Sequence, residues 1–93
     1  MKIEFDPRKS EKNARERGLP FDLVEWLDWE SATFSEDSRF AYPETRVIAL
    51  GFLGERLHVV CFTPVPGGIR VISFRKANER EVRRYEKEKA SYR

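Results

Sequence analysis

Polar and apolar residues alternate over Lys2–Phe5, which predicts a short strand. Asp6-Pro7 then opens a helix, because an aspartate accepts from the free first-turn N–H groups and proline suits the first helical position. Gly18 closes it as a C-terminal cap residue. Between them, Arg8–Arg17 offers no apolar side chain except Ala14, so this helix must pack closely along Ala14 or make polar contacts. Lys9 and Asn13, four apart, share one face. Leu19–Trp29 carries Phe21, Leu23, Val24, Trp26 and Leu27, predicting a second helix with a broad buried face. Trp26 and Trp29 read as core or partner-facing anchors.

Ser31–Pro43 is acidic and polar, and reads either as an edge strand plus loop or as one long loop. Three strand signals follow. In Arg46–Phe52, Arg46, Ile48, Leu50 and Phe52 share a side, and Gly54-Glu55 marks a turn. In Leu57–Thr63, Leu57, Val59 and Cys61 oppose His58, Val60 and Phe62. Pro64–Gly68 reads as a turn. Regular alternation in Ile69–Phe74 then places Arg70, Ile72 and Phe74 on one face and Ile69, Val71, Ser73 and Arg75 on the other. Short loops between these strands argue for an antiparallel meander. A last helix opens at Asn78 with Glu81 three residues later, a variant of the capping box. Only Val82 and Tyr85 anchor it, which predicts a loosely docked helix or one that packs on a partner. The chain thus reads as one α+β domain over residues 1–93, and no apolar run approaches the ~20 residues of a membrane span.

Charge changes this picture more than composition does. The 93 residues are 40% hydrophobic and 37% charged, with a net charge of +2. That near-neutral total conceals net −6 over residues 21–45 and net +4 over residues 46–76. Basic side chains on a sheet face suit a phosphate-bearing partner, or they pair with the acidic segment. One cysteine, Cys61, gives no internal disulfide, and His58 and Cys61 are the only soft ligands, so zinc is not expected. A cytoplasmic location is the expectation.

No phosphate loop or nucleophile–base motif is present. The lone histidine, His58, reads as structural. What remains is a basic set: Arg70, Arg75 and Lys76 on and after the last strand, Arg46 at the start of another, and Lys9 on the first helix. RNA cleavage without metal needs a base for the 2′-hydroxyl, cations for the phosphorane and an acid for the 5′-oxygen. Arginine forks suit the second role, and Lys9, Lys76, Glu81 and Tyr85 are candidates by type for the others. The bland alternative makes Arg75, Lys76 and Arg80 a solvated helix entry.

Two stretches resemble the BrnT family, RelE-like toxins of bacterial type II toxin–antitoxin systems. Phe5-Asp6-Pro7-Arg8-Lys9, then Asn13, Arg17-Gly18 and Phe21, is similar to the family's opening. Arg70–Asn78, with Arg80-Glu81 and Arg84-Tyr85-Glu86, is similar to its last strand and helix. Arg17 stands where the family carries histidine, Phe74 where it carries alanine, and Phe62 where it often carries histidine or tyrosine.

The resemblance implies an α/β, RelE-like fold: a strand, two helices, an antiparallel sheet of three to four strands and a C-terminal helix. It implies an RNA-cleaving toxin that inhibits translation, and with the scattered acids giving no metal cluster the first reading is an endoribonuclease that needs no metal or other cofactor. Arg46, Arg70, Arg75 and Lys9 are the catalytic candidates, and Lys76, Tyr85, Asn13 and Arg80 the RNA-binding ones. The implied partners are RNA (mRNA on the ribosome included) and a BrnA-like ribbon-helix-helix antitoxin, with operator DNA reached only through the antitoxin complex. A catalytically weak or inactive partner-binding module is the alternative, and a domain whose arginines all pair with the 21–45 acids is a third reading.

Overall fold

The computed structural model describes residues 1–91. Strand β1 (Lys2–Glu4) leads into helix α1 (Pro7–Arg17). The Asp6 carboxylate accepts from the Arg8 N–H at 2.9 Å, and Gly18, at φ 70°, ends the helix in the left-handed conformation. The expected polar contacts hold α1 in place. Ser10 Oγ accepts from the Phe21 N–H, and the Asn13 amide donates to the carbonyls of Leu19 and Phe74 at 2.7 and 2.8 Å.

Leu19–Trp29 is not an α-helix. A 3-10 helix spans Phe21–Trp26, with Leu23 N–H donating to the Pro20 carbonyl and Leu27 N–H to the Val24 carbonyl. The buried residues Phe21, Val24 and Leu27 recur every three positions, which matches three residues per turn. Trp26 falls outside that stripe and is 69% exposed, whereas Trp29 packs edge-on against Phe62.

Strands β2 (Thr33–Glu36), β3 (Val47–Leu53), β4 (Arg56–Val65) and β5 (Gly68–Lys76) follow, then helix α2 (Glu79–Ala90). The expected three- to four-stranded antiparallel sheet is a five-stranded mixed one, in the order β1-β5-β4-β3-β2. β1 joins the edge parallel to β5 because Gly68 lets the Lys2 carbonyl lie directly over it; a Cβ there would overlap that carbonyl. β4 runs on through Pro64 to Val65, so the turn is confined to Pro66-Gly67.

The expected faces hold on β3 and β4 but fail on β5. Its pairing with β4 passes from Ser73, opposite Cys61, to Val71, opposite Phe62, and Ile72 is left over as a β-bulge. The slip puts Ile69, Val71 and Phe74 together in the main core, with Val60, Phe62, Phe21, Val24 and Leu27. It also puts Arg70 and Arg75, opposite Thr63 and Val59, on one and the same face. Phe74 is thereby aimed inward and is among the most buried side chains.

The second face carries a smaller core of Leu50, Leu57, Val59, Ala77 and Tyr85 under α2. Thin as its apolar stripe is, α2 is docked: Tyr85 is buried, its ring edge-on to Phe52 and its hydroxyl donating to the Ser31 carbonyl at 2.9 Å. Among the described residues, no helix is long and apolar enough to cross a membrane.

Candidate functional site

Because α2 covers only the Leu50–Val59 end of the second face, the other end stays open. There Arg70 and Thr63 lie opposite each other on β5 and β4. Arg46, one residue before β3, extends the row, since Val47 pairs with Phe62. Beyond the end of β1, the open edge of β5 admits α1 beside Ile72. Lys9, Glu44, Arg46, Thr63, Arg70 and Ile72 line a cleft of about 370 Å³ at this corner. Three cations from widely separated parts of the chain thus face one space with a single carboxylate, Glu44.

Two polar atoms of this cleft are left without partners. Arg46 Nε and Thr63 Oγ1 are buried and accept or donate no hydrogen bond. Glu44 Oε1 stands 3.4 Å from Arg46 Nε, close enough for ionic attraction but without hydrogen-bond geometry. The Arg46 guanidinium lies over the Tyr42 ring at 3.9 Å, a cation–π contact that fixes its plane. Lys9 and Arg70 are exposed and make no ion pair among the described residues. Such donors suit a tetrahedral oxyanion, whose oxygens match arginine forks and a hydroxyl.

A second cleft, of about 250 Å³, runs between α1 and β5 and shares Lys9 and Ile72 with the first. Lys12, Asn13 and Arg17 line it. A basic track therefore extends from the C-terminal end of α1 to the Arg46–Arg70 corner.

Not every expected residue reaches this surface. Arg75 forms a bidentate pair with Glu81, both bonds 2.9 Å, and Glu81 also accepts from the Asn78 N–H. The Arg75 guanidinium beside Glu81 holds that carboxyl below its ordinary value. Arg75 thus clips α2 to the sheet and has no fork free for phosphate. Tyr85, expected to stack a base or lend a hydroxyl, is buried under α2 with its hydroxyl already donating. Asn13 lines the second cleft while both its amide bonds go to backbone carbonyls. Lys76 and Arg80 are exposed near the start of α2, outside the cleft.

Glu44 and Thr63 also line this cleft, with Tyr42 beneath Arg46, and none of the three is among the expected residues. Glu44-Thr45-Arg46 placed a carboxylate beside the predicted arginine, and Thr63 sits one position after Phe62 on the face of Cys61; both signals were in the sequence. The acidic segment does not neutralise the sheet. Asp37 pairs with Arg39 within its own loop, at 2.9 and 3.0 Å, and of the carboxylates of residues 21–45 only Glu44 meets an arginine of residues 46–76 among the described ion pairs. Of the departures from the resembled pattern, Phe62 and Phe74 both face the main core, opposite the cleft, while Arg17 lines the second cleft. His58 is buried against Phe74, its Nδ1 on the Arg56 carbonyl, and burial pushes its pKa down.

The family model described as "Ribonuclease toxin, BrnT, of type II toxin-antitoxin system" matches residues 5–81. No curated protein matches the chain.

Proposed function

Because the chain belongs to the BrnT family of ribonuclease toxins of type II toxin–antitoxin systems, we propose that the Lys9–Arg46–Arg70 cleft is where it cuts RNA. The observation that carries this reading is the convergence of three cations on one open corner, where Arg46 Nε and Thr63 Oγ1 lack hydrogen-bond partners. In this scheme the scissile phosphate sits between Arg46 and Arg70, with Thr63 Oγ1 donating to a non-bridging oxygen. The Glu44 carboxylate takes the 2′-hydroxyl proton as the 2′-oxygen attacks phosphorus. Lys9 gives a proton to the departing 5′-oxygen, leaving a 2′,3′-cyclic phosphate and a 5′-hydroxyl. Fixed cations that meet charge as it develops on the phosphorane supply the largest contribution, about 3 kcal/mol for one such donor.

The donor set supports a metal-independent reaction. One carboxylate among three cations is a poor seat for Mg²⁺, which binds through carboxylates and substrate phosphates. The second cleft, with Lys12 and Arg17, provides a track for the flanking strand. Arg75 acts in this reading as the positioning residue of α2 rather than as a phosphate ligand.

The activity would arrest translation in the cytoplasm, in a RelE-like manner. A BrnA-like ribbon-helix-helix antitoxin would neutralise it, and the complex would bind operator DNA. Trp26 and Phe34 are exposed apolar side chains in the acidic segment, and Phe34 lies on the face opposite the cleft. They suit a basic, apolar-anchored antitoxin segment. The test is growth arrest on expression together with RNA degradation by the purified chain in EDTA. Loss of both in a folded Arg70→Ala variant supports the site, and retention of both overturns it. Arg17 in place of the family's histidine favours a second reading, a binding module that cuts nothing; RNA binding without cleavage at high protein concentration is its signature.

A further inference from the structure

The loop between β2 and β3 is built in a way that the phosphate cleft does not explain. Asp37 is buried at its root, and its carboxylate accepts from the Arg39 side chain at 2.9 and 3.0 Å and from the Tyr42 hydroxyl at 3.3 Å. The Tyr42 N–H donates to the Phe40 carbonyl at 3.0 Å, closing a tight turn. These bonds fix two aromatic rings edge to face, 5.8 Å apart. Tyr42 is half-buried under Arg46, but Phe40 is 66% exposed, held out in water by a turn that is itself anchored. Arg39 stands over the Phe40 ring at 5.8 Å.

A concavity of about 300 Å³ lies along this loop, with Phe40, Tyr42, Glu44 and Arg46 in its wall. Glu44 and Arg46 also line the phosphate cleft, so the two spaces are contiguous. An exposed aromatic ring with a guanidinium beside it and an anion-seeking cleft next door matches a ligand that is planar at one end and phosphorylated at the other. Apart from Ala41 and Pro43, the rest of the wall is polar, from Glu36, Asp37, Ser38 and Thr45.

We infer that Phe40 and Tyr42 form a stacking platform for a nucleobase next to the scissile phosphate, so that the substrate is an unpaired RNA strand. This rests on the reading of the cleft as the RNA-cutting site. A duplex buries its base faces within its own stack, and only a single strand can lay one on a protein ring. Phe40, exposed with Arg39 beside it, supplies the ring, while Tyr42 and Asp37 brace the turn that carries it. Specificity of this kind accepts every base, with a preference set by stacking strength.

The experiment uses the full chain and a single-stranded oligoribonucleotide that is 2′-O-methylated to prevent cleavage and carries 2-aminopurine, whose fluorescence falls when it stacks. The wild-type chain is expected to bind with quenching. Phe40→Ala is expected to weaken binding about tenfold, the size of one lost base–aromatic stack, and to abolish the quenching; Phe40→Trp is expected to restore both. An oligonucleotide with an abasic position in place of 2-aminopurine is expected to bind wild type and Phe40→Ala alike. If Phe40→Ala binds and quenches like wild type while Arg70→Ala binds weakly, the platform is overturned and the cleft stands. If neither substitution changes RNA binding, both are overturned.

Discussion

Arg70 and Arg75 lie on one strand and one face, five residues apart, and meet opposite fates. At the Arg75 end the face is closed: α2 lies over Leu50 and Val59, and the helix brings Glu81 down to grip the guanidinium. At the Arg70 end no described residue closes over the sheet, and the arginine shares an open cleft with Arg46 and Lys9. The residue type is the same and so is the strand. What separates a structural clip from a candidate phosphate ligand is whether an element arrives with a carboxylate. The apolar content of the two ends decides where that element docks.

The comparison can be broken most forcefully at its open end. Arg70→Ala is expected to lower RNA cleavage by about 10²–10³, as for one lost transition-state donor, with the melting temperature unchanged; a gel-based cleavage assay beside a thermal melt checks both. At the closed end, Tyr85→Ala is expected to remove about 3 kcal/mol of stability by emptying the site under α2. Urea unfolding measures it, and cleavage well below the midpoint should persist. Arg75→Ala is expected to cost about 1 kcal/mol, the value of a well-formed but partly exposed pair, with RNA binding within a few-fold of wild type. An Arg75→Ala variant that melts normally but cuts poorly would merge the two ends into one site.

The smallest effect is a pH dependence. Burial keeps the His58 imidazole below its ordinary value of 6.5. Below that pH the unfolded chain takes up a proton that the folded chain refuses, so stability is full above 6.5 and declines as pH falls beneath it. His58→Leu is expected to flatten that slope in denaturant melts between neutral and mildly acidic pH.

Much of the fold could be read from local signals. Asp6-Pro7, Gly18 and Asn78-Glu81 mark helix ends because capping is decided within a few residues. The faces of β3 and β4 followed from alternation. Ile69–Phe74 did not, because Val71 and Ile72 are both apolar and β-branched, and nothing local states which one is left over. The slip is set by the partner strand. Leu19–Trp29 reads as a helix with a broad buried face, although its buried positions Phe21, Val24 and Leu27 repeat every three residues, a spacing that short windows fit almost as well with 3.6. Of the residues expected by type, the fold brings Lys9, Arg46 and Arg70 to one cleft, while pairing and burial hold Arg75 and Tyr85 elsewhere. Neither property is visible before the elements meet.

The parallel pairing of β1 with β5 has a further consequence in the order of synthesis. Lys9 emerges early and Arg70 late, and the edge that brings their elements together forms only when Gly68 can receive the Lys2 carbonyl. Closing so long a loop is among the last steps open to a chain made from its N-terminus. The cleft is therefore absent from every nascent fragment that stops short of β5. A fragment without β5 holds Lys9, Glu44, Arg46 and Thr63 but not the complete corner, which is assembled in one step when β5 pairs.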